Sequence, residues 1–312
     1  MLNFNKFVNQ EPVKLDEEVD ILLEKLILFS NGKKTGQIVF LSGGAGSGKG
    51  FASSKFMESE KFKVRDVDEW KKALIKIDTL KGKFPEIRGL DLKNPLDVMK
   101  MHKFVTKLKI KEKTLTLLLN DLRADRLPNI MFDITGKSIK DFEKIIPGLI
   151  DAGYSSRNIH ISWILTDFKV AFVANLTRKR VVPADVFLQT HRGANKTMSA
   201  LLDTHKMPKG ADGTFIVVLN NRENTINFVP GEKFKGKTIP PLSSRVVGGQ
   251  IKKIQNIKGF YSITVKDQGK GFRNEKFWKA ELFRQIVANV PGGTDTIDSL
   301  IDHGNKELKY KK

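Results

Sequence analysis

Residues 37–50 read QIVFLSGGAGSGKG, a short apolar run of the buried-strand type followed by a loop dense in glycine. A helical pattern opens directly behind it, near Phe51. The segment Gly43-Gly44-Ala45-Gly46-Ser47-Gly48-Lys49-Gly50 meets the spacing GxxxxGK in the strand–loop–helix context that this pattern requires. Glycine is needed there because backbone N–H groups must wrap around phosphate, and a Cβ would obstruct them. The helix behind the loop adds the positive end of its dipole. Lys49 has the reach to meet β and γ phosphates as a point charge. The loop from Gly43 to Gly50, with Phe51 behind it, is the expected nucleotide-binding site.

One position departs from the usual pattern. The residue after the lysine is Gly50 rather than Ser or Thr, so the hydroxyl that normally helps hold Mg²⁺ is missing, and Phe51 follows. Ser53, Ser54, or water together with Asp68 and Asp133 are the ways left to hold that metal.

Outward from the loop, apolar runs and helical patterns alternate. Residues 62–68 (FKVRDVD), 129–134 (NIMFDI), 158–166 (NIHISWILT) and 213–220 (GTFIVVLN) read as further strands. Between the second and third, residues 69–126 are helical and basic, broken at Phe84-Pro85 and Asn94-Pro95. Ser138, with Asp141 three residues on, opens a helix that runs towards Gly153. Helical segments flank residues 175–183. Strands alternating with helices indicate a parallel sheet covered on both faces, and right-handed crossovers reduce this to a doubly wound α/β fold of P-loop type.

The 312 residues hold 55 Lys and Arg against 35 Asp and Glu, a net charge of +20, and 40% hydrophobic residues, enough for a core. The absence of cysteine excludes a disulfide scaffold, a cysteine-based zinc site and thiol catalysis. No apolar run is long enough for a membrane span, and MLNFNKFVNQEP lacks the apolar region of a secretory signal. A soluble, cytoplasmic protein is expected. The surplus charge is concentrated, with +8 in residues 71–130 and +9 in residues 231–290. Both regions are candidate contacts for a polyanion such as nucleic acid, and both are equally readable as solvated lysine faces. The second contains an alternating run, residues 260–265, and an amphipathic helix pattern over 275–290. An earlier amphipathic helix is expected over residues 16–29.

Asp66-Val67-Asp68 lies at the carboxyl end of the second strand, the edge where doubly wound sheets bind ligands. A carboxylate there can accept the proton of an attacking hydroxyl; Asp68 is the expected base and Asp66 the reserve. Arg178-Lys179-Arg180-Val181-Val182-Pro183 stands between two helical segments, as a mobile cationic lid would, and His191-Arg192 is expected to face the same cleft. The histidines (102, 160, 191, 205 and 303) are scattered and form no zinc pattern, while Trp70, Trp163 and Trp278 fall on apolar faces and are expected in cores.

In order and spacing, the loop, the segment Asp66-Val67-Asp68-Glu69-Trp70-Lys71, the segment Phe132-Asp133-Ile134-Thr135-Gly136-Lys137 and residues 174–187 (ANLTRKRVVPADVF) resemble the zeta-toxin and polynucleotide-kinase branch of P-loop kinases, including zeta-toxin-like kinases of bacteriophages. The resemblance covers about residues 37–220. It implies Lys49 on the phosphates, Asp68 as base, and Arg178 and Arg180 as lid arginines. It also implies Lys71 where the polynucleotide kinases carry a substrate-contacting arginine, and Thr135 near the acceptor, with Asp133 as the acidic residue there. The cofactors would be ATP and Mg²⁺, the metal held by Asp68 and Asp133.

The expected protein is thus a kinase moving the γ-phosphoryl group of ATP to a hydroxyl acceptor, either a nucleic-acid 5′ end or a nucleotide-sugar. The alternative is a nucleotide- or nucleic-acid-binding module without turnover, which Gly50 and Phe51 favour. Three segments are expected: an N-terminal helical extension (1–36), the P-loop kinase domain (37–225) with its helical insertion, and a small basic α+β appendage (226–312).

Overall fold

The computed structural model describes residues 36–57, 62–82, 84–122, 127–220 and 260–275, together with short β pairs between residues 226 and 257 and isolated positions beyond 275. The helices expected over 16–29 and 275–290, and Trp278, lie outside the described residues. Five parallel strands form the sheet: β1 (Ile38–Ser42), β2 (Lys63–Asp66), β3 (Ile130–Asp133), β4 (Ile159–Leu165) and β5 (Phe215–Asn220). A sixth, β6 (Phe260–Lys266), pairs antiparallel with β5, so the order is β6-β5-β4-β1-β3-β2. The expected doubly wound α/β fold is present, with one antiparallel edge.

β1 is buried along its whole length because its side chains alternate into two cores. Ile38 and Phe40 join Ile130, Phe132, Ile161 and Trp163 on one face. Val39 and Leu41 join Met131, Ile164 and Val218 on the other, against Ala52 of α1 (Lys49–Phe56). The first core is closed by α5 (Lys140–Glu143), α6 (Ile146–Asp151) and the last turns of α8 (Ala184–Thr204).

Three boundaries depart from the sequence expectation. The strand read as 62–68 ends at Asp66, and helix α2 (Val67–Lys81) begins at once, so Asp66 closes a strand and Asp68 stands in a helical first turn. The helix expected from Ser138 to Gly153 is two short ones, α5 and α6. Pro147 explains the break: it has no N–H to donate within a continuous helix but is accepted in the first turn of a new one. Residues 260–265, expected within the appendage, form β6 of the main sheet, with Ile263 and Val265 turned into the core.

The insertion between β2 and β3 comprises α2, α3 (Pro95–Lys107) and α4 (Ile110–Asp121), with a core of its own formed by Leu74, Ile87, Met101, Phe104 and Val105. Arg65 of β2 ties it to the sheet. Its guanidinium donates to the Lys111 carbonyl at 2.6 Å and to Thr114 Oγ1 at 3.2 Å while lying 5.7 Å from the centre of the Phe132 ring. Trp163 is buried as expected, whereas Trp70, in the first turn of α2, is 45% exposed. Among the described residues no helix is long and apolar enough to cross a membrane.

Candidate functional site

Every parallel strand ends on the same edge, and the glycine loop lies there because it follows β1 without a gap. The loop is gripped from several sides. Gly43 N–H donates to the Thr135 carbonyl at 3.2 Å, which joins the loop to the segment after β3. From below, the Ser47 carbonyl accepts Thr166 Oγ1 at 2.8 Å and also Asn220 Nδ2, the residue that ends β5. From α8, Thr190 Oγ1 accepts Ala45 N–H at 3.1 Å, and His191 Nε2 lies 2.8 Å from the Ala45 carbonyl. That acceptor requires the proton on Nε2.

Two glycines are required by close approach. A Cβ on Gly44 would stand 2.4 Å from the His191 ring, and one on Gly46 would stand 2.1 Å from the Ala171 carbonyl of α7 (Phe168–Thr177). His191 was expected in the cleft; instead it is buried beneath the loop, its ring centre 4.5 Å from that of Phe187.

The Lys49 ammonium donates to the Gly43 carbonyl at 2.8 Å and lies 3.4 Å from that of Gly44, while Asp133 stands 3.7 Å away. This is a lysine curled over its own loop, with a carboxylate at the distance of a loose ion pair. Asp133 ends β3 and is the register partner of both Leu41 in β1 and Asp66 in β2, so two carboxylates stand side by side on adjacent strands. Asp68, the expected base, occupies the first turn of α2 two residues past Asp66. Lys71, expected to touch substrate, is 6% exposed, and Thr135 is half-buried beside Gly43.

The residues present are compatible with a magnesium ion of the kind held by one or two carboxylates and substrate phosphates, because Asp133 supplies hard oxygens 3.7 Å from Lys49 and Asp66 is its register partner on the next strand. They do not supply the usual loop hydroxyl. Gly50 has none, and Ser53 Oγ donates to the Gly50 carbonyl at 3.0 Å within its own helix. Among the described residues, no three acidic or histidine side chains form a ready-made metal cluster.

Arg178 caps α7 and Arg180 follows, in a turn that leads to α8. The far end of this turn, which the sequence suggests as a lid, is bound to the helix and to the insertion. Asn175, fully buried, accepts Val182 N–H through Oδ1 at 3.0 Å and donates through Nδ2 to the Val182 carbonyl at 2.8 Å. Val181 N–H donates to the Leu92 carbonyl of the insertion at 3.0 Å. Neither Asn175 nor Thr190 was singled out in sequence, because a buried amide or hydroxyl that bonds backbone leaves no spacing signature.

Three solved structures are among those similar to this chain. The PezAT toxin–antitoxin system of Streptococcus pneumoniae is 13% identical over 66% of this chain and 74% of that one, with a TM-score of 0.39. The AvrRxo1-ORF1:AvrRxo1-ORF2 complex with sulphate ions is 12% identical over 93% and 73%, with a TM-score of 0.48. The same complex with ATP is 11% identical over 83% and 66%, with a TM-score of 0.45. Likenesses this distant carry no functional argument. No curated protein sequence matches the chain. The zeta toxin family model matches residues 25–228, well over half of the chain and including every residue of the site just described. By that match, the chain belongs to the zeta toxin family.

Proposed function

We propose that the protein is an ATP-dependent kinase that transfers the γ-phosphoryl group to the hydroxyl of a nucleotide-sugar or a nucleic-acid 5′ end. The observation that carries this reading is the meeting, at one sheet edge, of the glycine loop with Lys49 and of Asp133 3.7 Å away. Lys49 exchanges its loop carbonyls for the β and γ phosphate oxygens, and the amides around Ser47 and Gly48 wrap the same group. Asp68 takes the proton of the acceptor hydroxyl as its oxygen bonds to the γ phosphorus and the bond to the bridging oxygen of ADP breaks. Arg178 and Arg180 neutralise charge on the transferring group. Asp133 would hold Mg²⁺ together with Asp68 or with its register partner Asp66, and the ion would neutralise charge on the phosphates. Thr135 and Lys71 belong to the acceptor side, Lys71 from a buried position.

Family membership favours the nucleotide-sugar. The basic insertion is the feature that would suit a nucleic-acid end; of its surplus, Lys111 is met by an acid from outside residues 71–130, Asp141 at 3.9 Å. The deciding experiment is transfer from labelled ATP to a panel of UDP-sugars and to a 5′-hydroxyl oligonucleotide, with Lys49→Ala and Asp68→Asn as controls. Transfer lost in both controls supports the assignment. ATP binding with no transfer to either acceptor class favours the binding module without turnover, and transfer untouched by Asp68→Asn removes that residue as the base.

A further inference from the structure

We infer that Asn175 is a positioning residue whose buried side chain holds Arg178 and Arg180 in a fixed relation to the phosphate loop. The inference rests on the kinase reading above and deepens it. Arg178 and Arg180 both fall inside the short loop closed by the two hydrogen bonds between the Asn175 amide and the Val182 peptide group. Left open, a segment of that length samples many conformations, and two arginines on it would meet the transferring group only a fraction of the time. Both ends of the clamp are buried, Asn175 fully and Val182 nearly so, within a cluster formed by Phe168, Phe172, Phe187 and Leu188. The bonds therefore have no competition from water, and breaking them strands two backbone groups in an apolar wall.

The same helix carries the second half of the relation. α7, which bears Asn175, packs so closely on the loop that Gly46 has no room for a Cβ against the Ala171 carbonyl. Thr166, just ahead of α7, donates to the Ser47 carbonyl. On the far side of the turn, α8 grips Ala45 through Thr190 and His191. The loop is thus fastened to α7, α8 and Thr166 ahead of them, and Asn175 ties the arginine turn to the same helix pair, beside the bond from Val181 N–H to the Leu92 carbonyl. The Asn175 side chain is orthogonal to any phosphate contact, since both its polar ends are committed to Val182. Its effect on transfer is therefore expected to run through the arginines.

The test compares Asn175→Leu, which keeps the shape and removes both hydrogen bonds, with wild type in three measurements on the full chain. Hydrogen exchange at the Val182 amide is expected to accelerate, ATP affinity by calorimetry to stay within about threefold, and the single-turnover transfer rate to fall by about 100-fold. In the Arg178→Ala/Arg180→Ala background the same substitution is expected to cost less than about threefold further, since its effect is spent through those arginines. An unchanged rate with an unprotected Val182 amide overturns the inference. So does a full 100-fold loss in the arginine-free background, which would mark a purely structural role. If Asn175→Leu does not fold, Asn175→Ala removes both hydrogen bonds with a smaller, helix-favouring side chain and is expected to show the same loss of rate; a wild-type rate there overturns the inference equally. A wild-type protein that transfers to no acceptor refutes the kinase reading, whereas an active wild type with an active Asn175→Leu refutes only the role given to Asn175.

Discussion

The imidazole of His191 fills the space that a side chain on Gly44 would need. The ring would lie 2.4 Å from a Cβ at Gly44, and its Nε2 is held 2.8 Å from the neighbouring Ala45 carbonyl, so it has no freedom to withdraw without releasing the loop. Gly44→Ala is therefore expected to lower stability by about 1–3 kcal/mol and to weaken ATP binding. Adding His191→Ala removes the obstacle and should restore part of the stability but not the loop's grip. Thermal unfolding and ATP calorimetry on the single and double variants decide it; a Gly44→Ala protein as stable as wild type would show that the ring moves freely.

Gly50 behaves oppositely. Nothing lies within 4 Å of the position its Cβ would take, and the residue is the second of α1. Gly50→Ser should fold, gain roughly 0.5 kcal/mol from helix propensity, and place a hydroxyl where most such loops carry one. The expected outcome is half-maximal activation of transfer at a lower Mg²⁺ concentration, read from a metal titration. An unchanged titration would mean that the metal does not approach this side of the loop.

On the opposite edge of the sheet, His160 is a pH-dependent element. It is buried, accepts Thr214 N–H at Nδ1 and faces Gln37 Oε1 from Nε2, and burial with the nearby Lys266 charge pushes its pKa down to about 3. An unfolded histidine binds its proton near pH 6.5, so between these values the unfolded chain takes up a proton that the folded one refuses. Stability should accordingly fall as pH drops below about 6.5, with this group contributing up to about 4 kcal/mol by pH 3. Urea unfolding of wild type and His160→Gln between pH 7 and pH 4 isolates the contribution; parallel slopes would exclude it.

Lys266, at the end of β6, places a buried ammonium among the Asp212 carboxylate at 2.8 Å and the carbonyls of Gly213 and Asp267 at 3.1 Å each. Lys266→Met leaves those oxygens unanswered and is expected to cost about 2–4 kcal/mol in denaturant unfolding. The same geometry predicts that deleting residues 231–312 destabilises the sheet, because the deletion removes β6. A truncated chain that unfolds at the wild-type denaturant midpoint would show that β6 is dispensable.

Much of this was legible in the chain itself. The buried strand at 37–41, the five-glycine loop and Lys49 announce themselves because phosphate binding demands a local backbone geometry that few sequences satisfy. The strand ending at Asp133 is legible to within a residue because a buried parallel strand is a continuous apolar run, whereas β2, an edge strand with Lys63 and Val64 exposed, reads two residues too long. Trp70 shares a helical pattern with its neighbours and so reads as core, yet the first turn of α2 turns it outward. β6 reads as part of an appendage, because sequence distance hides which strand pairs with β5.

Local chemistry therefore specified the fold class, the phosphate loop and the edge on which the site would form. It could not specify that Asp66 and Asp133 are register partners, that His191 from α8 lies under Gly44, or that Asn175 closes the arginine turn on Val182. Those relations join residues through packing of elements far apart in the chain, and the contacts that make them are buried amides, a ring and a hydroxyl bonding to backbone. Such groups carry no periodicity and no spacing rule, so they become visible only when helices α7 and α8 are laid against the loop.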